Sequence, residues 1–220
     1  MLLFAQGDVV ATMCIGDELE RNEKSITRLC GLAFAVSGAA GLFYQVAWQR
    51  LLGAFYGVGH VTATLTVTAF LLGLGGGALV AGRLAHRVKR PLEVYALLEM
   101  AIALSGGLSL WYIPFIGTRT AGLDLLPSGL LIFLLLLVPA CLMGATLPLF
   151  IEGVSRLSGR FSKQAAGLYA INTLGAAFGA LVACFGPMSW WGIGPTVSFA
   201  VVANIGLGAL MLALSAKWER

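Results

Sequence analysis

The chain has 220 residues, 59% of them hydrophobic and only 11% charged, with a net charge of +4 and a mean hydropathy of +0.90. Soluble domains carry about 25% charged and about 45–50% apolar residues, so this composition excludes a water-coated globule and makes lipid the solvent for most of the chain. It also excludes a continuous basic face for nucleic acid, and the surplus positive charge suits anionic lipid headgroups.

Residues 1–25 join a short apolar start, Met1–Phe4, to a charged run containing Asp17, Glu18, Glu20, Arg21, Glu23 and Lys24. That start is too short for a signal-peptide core. The segment reads as a partly disordered cytoplasmic tail with room for a short interfacial helix. A bilayer core of about 30 Å needs about 20 apolar residues in a helix. Six stretches meet that need: 27–48, 62–83, 92–113, 129–150, 164–185 and 193–215. They define one transmembrane domain over 26–216, leaving 217–220 as a short C-terminus. Short connections predict that neighbouring helices pack antiparallel. The longest external loop is expected over 114–128, which holds Pro114, Gly117, Gly122 and Pro127. No internal repeat is evident.

Of the 14 Lys and Arg residues, all but Arg50 and Arg119 fall on one side of these spans. Basic residues near span ends stay on the cytoplasmic face, so both termini are expected inside. The predicted fold is therefore an all-α integral membrane protein, a bundle of six transmembrane helices. The bacterial cytoplasmic (inner) membrane is its expected location. Trp48, Trp111, Tyr112, Trp190 and Trp191 are expected at the outer interface and Trp218 at the inner one, where an indole ring is half in lipid and half in water.

Small residues are concentrated in two spans. The second carries Gly73-Leu74-Gly75-Gly76-Gly77-Ala78, and the fifth carries Gly175-Ala176-Ala177-Phe178-Gly179. Lipid supplies no hydrophobic drive for helix association, so close backbone approach at small residues takes over. Gly73, Gly77, Gly175 and Gly179 are the candidate packing positions, and both spans should be central. The Gly75–Gly77 run lacks the preceding strand and following Lys-Ser/Thr of a phosphate loop.

Ionisable and polar groups inside spans are costly and mark candidate sites. Glu99 lies about seven residues into the third span, roughly 10 Å deep at ~1.5 Å per residue. Asn172 and Thr146 lie at matching depth in the fifth and fourth spans. These three form a candidate polar network or ion site. Glu99 is either a titrating cation site or an interhelical clamp bonded to Asn172 or the backbone. The clamp is favoured, because no second intramembrane carboxylate or cation accompanies it. Tyr44, Gln45 and Arg50 form a second, outer polar cluster, with Arg50 snorkelling to the headgroups. Thr62, Thr64, Thr66 and Thr68 either line a substrate path or bond their own helix. Cys14, Cys30, Cys141 and Cys184 show no CxxC spacing and read as buried thiols. His60 and His86 fall on opposite sides, so no metal, catalytic or cofactor-binding set is expected and no cofactor is implied.

The loop Ala81-Gly82-Arg83-Leu84-Ala85-His86-Arg87-Val88-Lys89-Arg90-Pro91 resembles the loop between the second and third helices of major-facilitator transporters, with His86 where that family usually has an acid. The acid's charge-relay role does not carry over. More extensively, Ser37-Gly38-Ala39-Ala40-Gly41-Leu42-Phe43-Tyr44-Gln45-Val46-Ala47-Trp48-Gln49-Arg50 resembles the opening of the membrane half of multi-pass spermidine-synthase-like proteins. So do Tyr95–Glu99, Leu142–Pro148 and Gly167–Ala176 in their turn. The resemblance implies helices joined to a cytoplasmic aminopropyltransferase domain that binds decarboxylated S-adenosylmethionine and putrescine. No strand–Gly-rich loop–helix unit occurs before Arg220, so the expectation is a non-enzymatic membrane module lacking that domain, shaped like half of a major-facilitator transporter. Its expected role is that of a scaffold, anchor or accessory subunit for a partner protein or larger membrane complex. The alternative is a polyamine or organic-cation transporter working as a homodimer, with Glu99 as the cation site.

Overall fold

The computed structural model describes the backbone at every position except 1, 58, 121, 123, 124, 159, 160, 219 and 220. It describes side chains except, in addition, at 2–27, 125, 126, 157, 158, 161–164 and 218. Apart from short connections, the described residues are helical: α1 Leu2–Tyr56, α2 His60–Leu84, a 3-10 turn Ala85–Arg87, α3 Pro91–Thr120, α4 Leu125–Ser158, α5 Phe161–Phe185, the one-turn α6 Pro187–Trp190 and α7 Ile193–Trp218. Six of these contain apolar stretches of 25 to 30 residues, long enough to cross a membrane. The architecture is an all-α, six-helix membrane bundle. The side chains of the N-terminal tail, with those of Trp218 and of the C-terminal residues after it, lie outside the described residues.

Three helices run well past their predicted limits. α1 continues to Tyr56, α3 passes through Pro114 to Thr120, and α4 runs from Leu125 to Ser158, so the expected loop over 114–128 shrinks to a short connection. Pro114 has no N–H to offer Leu110 O, a gap that membrane helices tolerate. In the turns after it, Thr118 Oγ1 and Arg119 Nη1 donate to Phe115 O, and Thr120 Oγ1 donates to Ile116 O. The Arg119 guanidinium also lies 3.6 Å from the centre of the Phe115 ring, and Tyr56 and Thr120 hydroxyls share a hydrogen bond that ties α1 to α3.

The closest packings are α2 with α4, α1 with α5 and α3 with α7, not the sequence neighbours. Short loops turn the chain, but small-residue faces choose the partners. A Cβ added at Gly73 would meet Ala140 and Cys141 of α4, and one at Gly77 would meet Cys141 and Ala145. Contacts that advance together along both chains make α2 and α4 parallel. Gly175 and Gly179 of α5 likewise lie on Ala35 and Ala39 of α1. In contrast, Gly107 of α3 meets Val201 of α7 whereas Gly208 meets Ala96 and Met100, so this pair is antiparallel.

These pairings expose a repeat that is hard to see in the sequence. Exchange α1 with α4, α2 with α5 and α3 with α7. The α2–α4 seam then becomes the α1–α5 seam, α3–α4 becomes α1–α7, and α1–α2 becomes α4–α5. Helices three apart in a series of alternating spans point in opposite directions, so the repeat is inverted, a construction common among secondary transporters. Residue identity survives around the glycines: Leu72, Gly73, Gly77, Ala78, Leu79, Val80 and Ala81 answer to Leu174, Gly175, Gly179, Ala180, Leu181, Val182 and Ala183. The symmetry fails at one place. α1 also packs on α3, and among the described residues α4 makes no comparable contact with α7.

Two apolar clusters fill the interior. One gathers Tyr44, Trp48, Phe70, Ile102, Met143 and Val197, and the other Phe34, Leu92, Tyr95, Phe150 and Met211. Trp48 corrects the interfacial expectation, being 1% exposed and donating from Nε1 to Ser109 Oγ at 2.8 Å. Trp111, Trp190 and Trp191 are exposed near span ends as expected of a belt.

Candidate functional site

The α1–α3 contact that breaks the symmetry also carries the polar groups. Glu99, on α3 between the two apolar clusters, is fully buried. Its Oε1 accepts a hydrogen bond from Ser37 Oγ of α1 at 2.6 Å. The Tyr95 hydroxyl faces the same carboxyl without closing a bond of normal geometry, and Oε2 has no protein donor. Ser37 fits there because its neighbour Gly38 lets α5 approach: a Cβ at Gly38 would meet the backbone and side chain of Asn172.

Ser37 lies on the wall of a cavity of about 380 Å³. α1, α2, α4 and α5 supply most of the wall, with Ile102 of α3 and Asn204 of α7 behind them. Exposed Gly75, Tyr169 and Thr173 form part of its rim, so the cavity opens on one side. Thr146 and Asn172 both line it. Thr146 Oγ1 donates to Met143 O of its own helix at 2.7 Å, and Glu99 sits one layer back, behind Ser37. The three residues singled out in the sequence thus share a neighbourhood, but the hydrogen bond of Glu99 goes to Ser37.

Asn204 escaped the sequence reading, although it is a lone amide in the run Val201-Val202-Ala203-Asn204-Ile205 and the cost of polar groups in lipid marks it as strongly as Asn172. It is 2% exposed, lines the cavity, and its Oδ1 has no protein donor. Ser37 and Tyr95 were hidden because a single hydroxyl in an apolar helix is inexpensive.

The outer cluster separates into different environments. Tyr44 is buried, with its ring against Gly106 and stacked on Trp48 at 5.7 Å between centroids. Gln45 is half-buried, and exposed Arg50 points Nη2 at Cys184 Sγ of α5, 3.8 Å away. Thr62 and Thr66 donate to Gly57 O and Thr62 O, so those hydroxyls are spent on their own backbone. Among the described residues no group of three His, Cys, Asp or Glu side chains assembles that could hold a metal.

At the basic end, Arg156 of α4 holds the α2–α3 loop. Its Nη1 and Nη2 donate to Lys89 O and His86 O at 3.1 and 3.3 Å, and its Nε to Glu152 Oε1 at 2.9 Å. The guanidinium is 38% exposed, so solvent screening tempers the contribution. Arg156→Gln should raise tryptic cleavage after Arg87 and Lys89 by about threefold to tenfold in mild detergent. An unchanged digestion rate would show that the loop is held by other contacts.

Comparison with known proteins adds one relation. The chain is 30% identical over 155 residues to polyamine aminopropyltransferase 1 of Streptomyces coelicolor. The match covers 70% of this chain but 27% of that protein. It is a likeness to a minor part of an enzyme. No protein-family model matches the chain and no solved structure does.

Proposed function

We propose that this chain is a transporter-type membrane module that binds a small organic cation in the cavity between its two inverted halves. The observation that carries the reading is the buried Glu99 carboxyl, which accepts from the neutral Ser37 hydroxyl on the cavity wall and faces no basic side chain among its hydrogen-bond partners. An anionic group without a counter-charge in such a place is costly, and a cationic ligand offsets it. The inverted pairing supports this reading, since secondary transporters place their substrates where two such repeats meet. The name of the Streptomyces relative points to the amine class. Both termini inside, a bacterial inner membrane and a homodimeric working form belong to the same proposal.

Uptake into proteoliposomes tests it. Wild-type protein should accumulate labelled organic cations, and Glu99→Gln should lower the rate by at least about tenfold, the loss of one charge-assisted contact. Uptake indifferent to the carboxylate, or none at all, sinks the reading.

A second reading has its own support. The chain spans about a quarter of a relative that is named as an enzyme, as an anchor or accessory subunit for such an enzyme would. Purification in mild detergent decides this: co-isolation with a stoichiometric partner favours it, and a chain that always isolates alone counts against it.

A further inference from the structure

We infer that the lipid-facing side of the bundle holds an anionic phospholipid, with one acyl chain in an apolar groove between α1, α5 and α7 and its phosphate on the Arg50 guanidinium. The groove shares no lining residue with the cavity in front of Ser37. Val36, Ala40 and Phe43 of α1, Val182 of α5, Pro187 of α6 and Phe199 of α7 wall it, and the rest of its lining is apolar too. The fold leaves this space open. α5 and α7 both pack on α1 but, among the described residues, make no comparable contact with each other. Ala40, Ala200 and Ala203 are too short to fill the wedge between them. Its volume of about 450 Å³ has room for roughly fifteen groups the size of a water, at about 30 Å³ each, which is most of one acyl chain. Water would find no hydrogen-bond partners on such walls, and an unfilled space would forfeit contacts on every side. The solvent around a membrane bundle at this depth is hydrocarbon, so a lipid chain is the filling that fits.

Arg50 selects the headgroup. Arg28 and Arg50 stand about 33 Å apart along α1 at ~1.5 Å per residue, close to one hydrocarbon thickness. Arg50 therefore lies at headgroup depth, the level that exposed Trp190 and Trp191 favour. Phe43 lies on the same side of α1, two turns further in. The guanidinium reaches the end of the groove, because Nη2 is 3.8 Å from Cys184 Sγ and Cys184 falls between the lining residues Val182 and Pro187. A thiol is a weak acceptor, and among the described residues no carboxylate pairs with Arg50. Arg119, the other basic residue at this end, is engaged with the Phe115 ring and carbonyl. The exposed Arg50 fork thus offers donors that match a phosphate in bidentate geometry. A zwitterionic lipid brings the same phosphate, but its own ammonium offsets the charge, so a net anionic headgroup gains more.

Native mass spectrometry of the full chain in mild detergent tests this, with phosphatidylglycerol and phosphatidylcholine of identical acyl chains as probes. We expect the wild type to hold one phosphatidylglycerol about tenfold more tightly than phosphatidylcholine, the magnitude of one charge-assisted contact. In Arg50→Gln the preference at that one site should vanish, while anionic lipids held at the more basic end appear in both proteins and cancel. Ala203→Phe, which puts a ring into the groove and leaves Arg50 in place, should weaken both lipids at this site by at least about threefold. Equal retention of the two lipids by the wild type, or a preference of the same size in Arg50→Gln, overturns the headgroup contact. Lipid retention unchanged by Ala203→Phe overturns the groove as the seat of the chain. A lipid-free dimer that Ala203→Phe dissociates would give the groove to a second copy and overturn the lipid altogether. The wild-type comparison of the two lipids needs no variant to fold.

Discussion

Gly77→Val should prevent recovery of a folded, monodisperse bundle, whereas Gly76→Val, one position away, should be nearly silent. A Cβ at position 77 would stand 2.8 Å from the carbonyl carbon of Cys141 and 3.0 Å from the amide nitrogen of Ala145. Those neighbours are backbone and cannot swing aside, so α2 and α4 must separate along their seam. Overpacking a core typically costs about 1–3 kcal/mol, and a clash with main chain belongs at or above the top of that range. A Cβ at Gly76 meets nothing within 4 Å. Through the inverted repeat, Gly179→Val should behave as Gly77→Val does, because a Cβ there meets the backbone and Cβ of Ala39 at 2.8 Å. The readouts are yield after size exclusion and the midpoint of thermal unfolding. Equal midpoints for the 77 and 76 variants would mean that the α2–α4 seam is not a backbone contact.

The second large effect is expected at Trp48, where two substitutions separate packing from hydrogen bonding. Trp48→Ala empties the middle of the larger apolar cluster and removes the ring stacked on Tyr44. Trp→Ala changes in cores cost about 3–5 kcal/mol. Lipid exposure replaces water exposure in the unfolded reference, so the lower end, about 3 kcal/mol, applies here. Trp48→Phe keeps most of the volume and loses the bond from Nε1 to Ser109 Oγ. Interhelical hydrogen bonds in membranes average about 0.6 kcal/mol, and Ser109 Oγ also donates to Gly106 O, so it is not stranded. Trp48→Phe should therefore lie within about 1 kcal/mol of wild type. If both variants lose the same stability, the hydrogen bond outweighs the packing and this ranking fails.

Much of the fold was legible because bilayer physics writes it into composition. The six apolar stretches appear as six long helices, with ends displaced by several residues where α1, α3 and α4 continue past the predicted limits. Gly73, Gly77, Gly175 and Gly179 stood out because small residues are the means of helix association in lipid, and the structure sets each against a neighbouring helix. Which helix each would meet was not legible. Spacing identifies a face but not its partner, and the parallel α2–α4 and α1–α5 seams join spans that are not consecutive. The inverted repeat was hidden for the same reason, since the matching residues cluster in one short stretch, 72–81 against 174–183, that reads by eye as ordinary small-residue helix. At the site, Glu99 was conspicuous as a buried charge, but its bond to Ser37 depends on the α1–α3 contact. Trp48 misled because an indole near a span end fits an interfacial belt as well as a core, and only the presence of α3 beside it decides.

The glycine seams have a mechanical consequence. They weld α1 to α5 and α2 to α4 through main-chain contact, while α1 with α2 and α4 with α5 meet less closely. Each couple is therefore held rigid along its seam, and the two stand on different walls of the cavity. What joins them is the α3–α7 pair, which packs on α4 through α3 and on α1 through α7. The width of the chamber in front of Ser37 thus depends on that bracing pair rather than on the seams.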